Sequence, residues 1–175
     1  WPWGFESPCP HHWRIMIVYK KGDLLKSGAE IIVHGCNCFH VMGAGVAQMI
    51  KHKWPRALMA DKAHGPEGDR NRLGCLSLSH GDTPPTPEYP LIVNMYTQYS
   101  YTTERRQLDY EALYLCMESL AGLVQSDVSN PKWRVAMPKI GAGLAGGDWD
   151  IIEMIVNRTF GDREVEVWLY DPAAN

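Results

Sequence analysis

Between residues 31 and 46 the chain reads IIVHGCNCFHVMGAGV, and His34, Cys36, Asn37, Cys38 and His40 are the side chains in it able to do chemistry. An imidazole titrates near neutrality and suits general acid or base work. A thiol beside an imidazole could be a nucleophile, with His34 or His40 as the base for Cys36 or Cys38. The bland counterpart is a buried free cysteine at a strand end, the commoner use of that residue. Alternating His and Cys also raise zinc. A tetrahedral site, however, takes its ligands from two separated turns, and four ligands from one short extended stretch do not readily converge, so no metal is expected. Asn37, just past an apolar run, offers both donor and acceptor and could orient a sugar hydroxyl or a water; the alternative is an Asx turn.

The same stretch ends in MGAGV (42–46), and a second pentapeptide of this form, IGAGL, stands at 140–144. Each lies between a strand-like run and a helix-like one, where an open α/β sheet presents free backbone amides beyond the carboxyl ends of its strands. Without a Cβ, Gly43, Gly45, Gly141 and Gly143 permit positive φ. Their N–H groups, with those of Ala44, Val46, Ala142 and Leu144, could then close around an anion. Two facing nests could grip a diphosphate; two tight turns are the plain alternative. Taken alone, the second loop is also a GxGxxG string, Gly141 to Gly146, with an acid, Asp171, at the end of the next strand. That pattern would suit an NAD-dependent dinucleotide-binding enzyme.

Such loops need elements to hold them. Apolar, extended segments recur at 15–19, 30–35, 74–79, 91–96, 133–137 and 165–170, several continuously apolar, as strands covered on both faces must be. Helical spacing puts Leu108, Ala112, Cys116 and Leu120 on one stripe and Ile152, Ile155, Val156 and Thr159 on another. Val46, Ala47 and Ile50 form a third, and Pro55 suits the first turn of a fourth helix. Alternating strands and helices predict an α/β fold, a three-layer α/β/α sandwich around a mixed, mostly parallel six-stranded sheet. The polar connections AHGPEGDRNR (63–72) and GDTPPTPEYP (81–90) read as exposed loops. Residues 15–175 read as one domain, and 1–14, dense in Trp and Pro, as an irregular tail of native or expression-vector origin.

At 175 residues and 45% hydrophobic, the chain can bury one ordinary core. A net charge of -3 and a pI near 6.2 disfavour extended nucleic-acid binding but not a local anion pocket. Five scattered cysteines argue for a reducing compartment, and no apolar run approaches the ~18 to 20 residues of a membrane span. The expectation is a soluble monomer of the cytoplasm, or of the host cytoplasm if the source is viral, that works without a cofactor.

KGDLL (21–25), VHGCNCFHVMGAGVA (33–47) and MPKIGAGLAGGDW (137–149), in this order and on these elements, resemble the macrodomain family of ADP-ribose-binding proteins. The likeness runs from about Ile15 to Asp171. It is closest to the subgroup of yeast ADP-ribose 1''-phosphate phosphatase, the terminal ADP-ribose protein glycohydrolase and small phage proteins. The resemblance implies that Asp23 accepts from the adenine amino group and that Asn37 lies near the distal ribose. It further implies that Gly43, Ala44, Gly45 and Val46 form the first phosphate loop, and Gly141 to Leu144 with Gly146 the second. His34 falls on the histidine implicated in the phosphatase chemistry; Asp148 could add a carboxylate or merely cap a helix, and His40 could reach phosphate. Two departures count against lysine-dependent removal of ADP-ribose: Gln98 stands near the place of that lysine, and Ala145 at that of an aspartate. The implied activity is hydrolysis of ADP-ribose 1''-phosphate or a related derivative, with non-catalytic reading of ADP-ribose as the alternative.

Overall fold

Strand β2, Ile31–Asn37, shows why this sheet needs a helical layer on each side. Its Ile31 and Val33 enter one core with α3 (Tyr110–Ser126) and α4 (Trp149–Phe160), while the intervening Ile32 enters another with α1 (Gly45–Lys53) and α2 (Arg56–Ala63). All three side chains are buried, as the period of two requires when both faces are covered. The computed structural model describes residues 17–79, 84–126, 133–161 and 163–171. The tail expected at 1–14 and the first residues of the strand expected from Ile15 lie outside them.

The remaining strands are β1 (Ile17–Lys21), β3 (Leu76–Leu78), β4 (Leu91–Gln98), β5 (Val135–Pro138) and β6 (Val165–Leu169). They form one six-stranded sheet in the order β1-β6-β5-β2-β4-β3, parallel throughout except for β3, which runs antiparallel to β4 at the edge. Leu113, Met117 and Leu120 of α3 and Ile152, Val156 and Phe160 of α4 fill the larger core. Burying each such side chain is worth about 1.5–3 kcal/mol. The α4 stripe is rotated from the expected one: Phe160 is buried, while the Thr159 hydroxyl donates back to the carbonyls of Ile155 and Val156. Pro55 caps α2, where its missing N–H costs nothing.

The 63–72 connection departs from expectation. Its composition predicts exposure, yet Arg72 at the end of its 3-10 turn (Arg70–Arg72) is 2% exposed. A polar composition hides this because both terminal nitrogens of the guanidinium find partners inside. It pairs with the carboxylate of Asp61, itself buried, and donates to the carbonyls of Asp61 (2.9 Å) and Cys38 (2.8 Å). It also stacks 4.1 Å over the Tyr96 ring. The Tyr96 hydroxyl donates to Asp61 Oδ1 (2.9 Å) and lies 2.8 Å from Ser77 Oγ, and Asn94 Nδ2 donates to Ser77 Oγ and to the Ala57 carbonyl, each at 2.9 Å.

His34 ends this polar seam. Its Nε2 lies 2.7 Å from Asn94 Oδ1. Because both donors of the Asn94 amide are directed elsewhere, Oδ1 must accept, and the proton resides on Nε2 of a neutral imidazole. Burial, opposed by the Asn94 bond, pulls the His34 pKa down to about 4.

Two outcomes follow from the seam. Asp61→Asn leaves the Arg72 charge buried and unpaired, and urea unfolding is expected to register a loss of about 3–5 kcal/mol. Between the ordinary histidine pKa near 6.5 and about 4, the unfolded chain binds a proton at His34 that the native state refuses, so stability falls as pH falls through that window. The full decrement is about 3 kcal/mol at pH 4. His64 is shifted in the same direction by burial; the His34 share is the part of the acid slope that disappears in His34→Gln.

Candidate ligand-binding cleft

Strands β2 and β5 are neighbours and parallel, so the loops that follow them leave the same edge of the sheet. They then diverge, one into α1 on one face and the other into α4 on the opposite face. Such a divergence opens a crevice by construction. Here the crevice is a cleft of about 410 Å³, within the usual range for small-ligand sites. Gly43 to Ala47 form one wall and Pro138 to Ala145, apart from Ala142, the other; Gly35, Asn37, Thr97 and Gln98 border it from β2 and β4. The two GAG loops thus face a common space.

The first wall is a helix N-terminus. Asn37 shapes the approach: its Oδ1 accepts from the amides of Phe39 (2.9 Å) and Val41 (3.3 Å), and its Nδ2 donates to the Val41 carbonyl (2.8 Å). This is an Asx-type turn, and it leaves one N–H of the amide uncommitted at the cleft. Gly45 then takes φ +56°, with nothing within 4 Å of where a Cβ would sit. The α1 N-cap is exposed Ala44, which has no side-chain oxygen to offer, and the first turn holds no acid. The first amides of α1 therefore point outward with no acceptor among the described residues, carrying the positive end of the helix dipole.

The second wall is built differently. Its loop folds on itself through Ala142 N to the Lys139 carbonyl (3.2 Å), Gly146 N to Gly143 (2.9 Å) and Gly147 N to Gly141 (2.8 Å). The amides of Gly143, Leu144 and Ala145 take no acceptor among the described residues. Leu108 locks the loop from outside: its amide and that of Gln107 donate to the Ala145 carbonyl. A Cβ on Gly147 would lie 2.2 Å from Leu108 Cδ2, and one on Gly141 2.8 Å from Leu108 Cδ1. These glycines serve close packing as much as anion approach. Asp148 is the N-cap of α4 and its Oδ1 accepts from the Asp150 amide (2.9 Å), so that helix end is occupied by its own carboxylate. This differs from a dinucleotide fingerprint, in which the helix N-terminus is left for the pyrophosphate.

The residues singled out in the sequence divide accordingly. Asn37, Gly43, Ala44, Gly45, Val46, Gly141, Gly143 and Leu144 border the cleft together. Ala142 instead packs against the α3/α4 core, and Gly146, at φ +70°, abuts the Arg106 backbone. His40, at φ +56°, turns its Nδ1 to Asp61 Oδ1 at 3.2 Å, behind the first loop. Asp148 and Asp23 do not line the cleft. Asp23 caps a 3-10 turn (Leu24–Lys26) after β1 and accepts from the Leu25 amide (2.8 Å). His34 adjoins the cleft floor, but its imidazole lies in the buried seam with Asn94, on the side of the sheet facing α2.

Neither cysteine is set up as a nucleophile. Burial pushes both the Cys36 and the Cys38 thiol up, and Cys36 Sγ sits 3.7 Å from the unprotonated Nδ1 of His34, so both remain thiols at neutral pH. Sequence reasoning missed Thr97, Tyr101 and Lys139, which also border the cleft. Thr97 is hidden in an apolar run; Tyr101 and Lys139 sit in connections with no period to mark them. Lys139 Nζ stands 5.2 Å over the Trp149 ring, a cation held at the mouth.

Comparison with known proteins gives the family and the fold. The family profile for the Macro domain matches residues 33–156. An uncharacterized 17.5 kDa protein of Enterobacteria phage T4 is 35% identical over 160 residues, 90% of this chain and 99% of that protein. The ADP-ribose 1''-phosphate phosphatase of Debaryomyces hansenii is 28% identical over 180 residues, covering 89% of this chain and all of the relative. A DNA ADP-ribosyl glycohydrolase of Thermus aquaticus is 27% identical over 161 residues; the match takes in 91% of this chain but only 42% of that longer protein. The solved macrodomain of Thermus aquaticus DarG superposes with a TM-score of 0.67 at 24% identity, over 90% of this chain and 99% of that one, and shares the fold. Matched by the family profile over more than half its length and by a phage relative along nearly all of it, the chain belongs to the Macro domain family.

Proposed function

We propose that the cleft binds ADP-ribose and that the protein hydrolyses ADP-ribose 1''-phosphate or a related ADP-ribose derivative. One observation carries the binding half: two amide-bearing loops, far apart in sequence, follow adjacent strands and face each other across one cleft. A pyrophosphate between them would take the α1 amides on one side and those of Gly143 to Ala145 on the other. Asp23, at the carboxyl end of β1, would meet the adenine, and Asn37 the distal ribose. The similarity to an ADP-ribose 1''-phosphate phosphatase and to a DNA ADP-ribosyl glycohydrolase supports a ligand of this class.

For hydrolysis, a water attacks phosphorus, the bond from phosphorus to the 1''-oxygen breaks, and ADP-ribose and inorganic phosphate leave. No carboxylate among the described residues borders the cleft, so a proton of the attacking water passes by way of a phosphate oxygen of the substrate to the departing 1''-oxygen, with an N–H of Asn37 orienting the group. Neutral and tied to Asn94, His34 serves here as a positioning residue under Gly35. The same absence of a carboxylate favours the second reading, a reader that binds ADP-ribose without turnover.

Phosphate release from ADP-ribose 1''-phosphate decides between them. Release by the wild type, slowed about tenfold or more in His34→Ala, is the expected result; binding without release establishes the reader. The site itself is tested by Ala44→Asp. This change supplies the missing N-cap of α1 and should raise stability by up to about 1 kcal/mol. Its carboxylate would occupy the anion position, and calorimetric affinity for ADP-ribose should fall at least about thirtyfold. Unchanged affinity would refute the first loop as an anion site.

A further inference from the structure

Thr97 is fully buried on β4, borders the cleft, and its hydroxyl has no hydrogen-bond partner among the described residues. The other buried polar atoms in that condition belong to Arg56, Arg72, Trp133 and Asn157, none of which borders the cleft. Packing does not call for this oxygen, since valine has the same branched shape without a polar atom to satisfy. The hydroxyl is itself buried, and the neighbouring Gly35 leaves a narrow slot beside it where no side chain covers it. A Cβ there would lie 3.0 Å from Thr97 Oγ1 and 3.4 Å from Ile140 Cγ1, closing the slot, and Gly35 has no positive φ that would itself demand glycine.

Sheet order places this slot along the ligand. In the order β1-β6-β5-β2-β4-β3 the two glycine loops follow β5 and β2, Asp23 follows β1 on one side, and Thr97 is the penultimate residue of β4 on the other. With adenine toward β1 and the pyrophosphate between the loops, the second sugar lies over β2 and β4. We infer that Thr97 is a ligand-contacting, specificity-determining residue whose Oγ1 hydrogen-bonds a hydroxyl of the distal ribose, reached through the gap left by Gly35. The inference rests on the ADP-ribose reading.

Calorimetric titration of ADP-ribose and of ADP, which lacks the distal ribose, into wild type, Thr97→Val and Thr97→Ser tests it. Thr97→Val should bind ADP-ribose about tenfold more weakly and ADP unchanged, Thr97→Ser should recover most of the loss, and Thr97→Val should melt no lower than wild type. Equal ADP-ribose affinity in wild type and Thr97→Val overturns the contact. An equal loss for both ligands overturns its assignment to the distal ribose. A Thr97→Val protein melting well below wild type shows that the hydroxyl has an internal role instead. A wild type that binds no ADP-ribose overturns the underlying reading, whatever the variants do.

Discussion

The buried ion pair of Arg72 with Asp61 is the constraint on which the cleft depends. Through it α2, the 63–72 connection, β4 and the carbonyl of Cys38 are fixed to one another. Cys38 opens the loop that leads to the first wall of the cleft, so the position of the α1 amides is set from behind by a guanidinium that does not border the cleft. A buried pair of this kind is not in itself a source of net stability, because desolvation offsets much of the attraction. What it supplies is a single arrangement: every hydrogen-bond partner of the guanidinium is directional, and a shifted loop would strand a charge. The His34, Asn94 and Ser77 chain extends the same logic under β2.

The two walls reach the same chemical end by different means. On the first, a helix begins with an alanine cap and no acid, so its own N–H groups stay available. The second is a self-bonded turn wedged by Leu108, and the helix after it is closed by Asp148. Amides aimed into a half-closed space attract an anion without any cluster of lysines or arginines. The net charge of -3 is therefore compatible with an anion site.

Much of this was legible in the residues. Six extended runs and four helical ones were readable because burial on both faces imposes continuous apolar strands, and burial on one face imposes a 3.6-residue stripe. The loops around Gly43 and Gly141 stood out because glycine pairs at strand-to-helix junctions have few uses. Arg72 was not legible: a charged residue in a polar, Gly- and Pro-containing connection reads as solvated until its partner is known, and Asp61 sits on a helix whose own pattern gives no hint of it. Nor was Thr97, where a single oxygen in an apolar strand leaves no periodic trace.

The chain alone thus determined which segments are strands and helices, that they layer around a mostly parallel sheet, and where glycine frees the backbone. These depend on short-range spacing and side-chain volume, which are written in linear order. The tertiary structure decided that the two loops share one edge, that His34 adjoins the floor of the space they enclose with its imidazole tied to Asn94 in the buried seam, that His40 and Asp148 satisfy neighbours within the fold, and that a hydroxyl without a partner among the described residues borders the floor. Those facts depend on which strands become neighbours and on which polar groups meet across long sequence separations, and no local pattern encodes them.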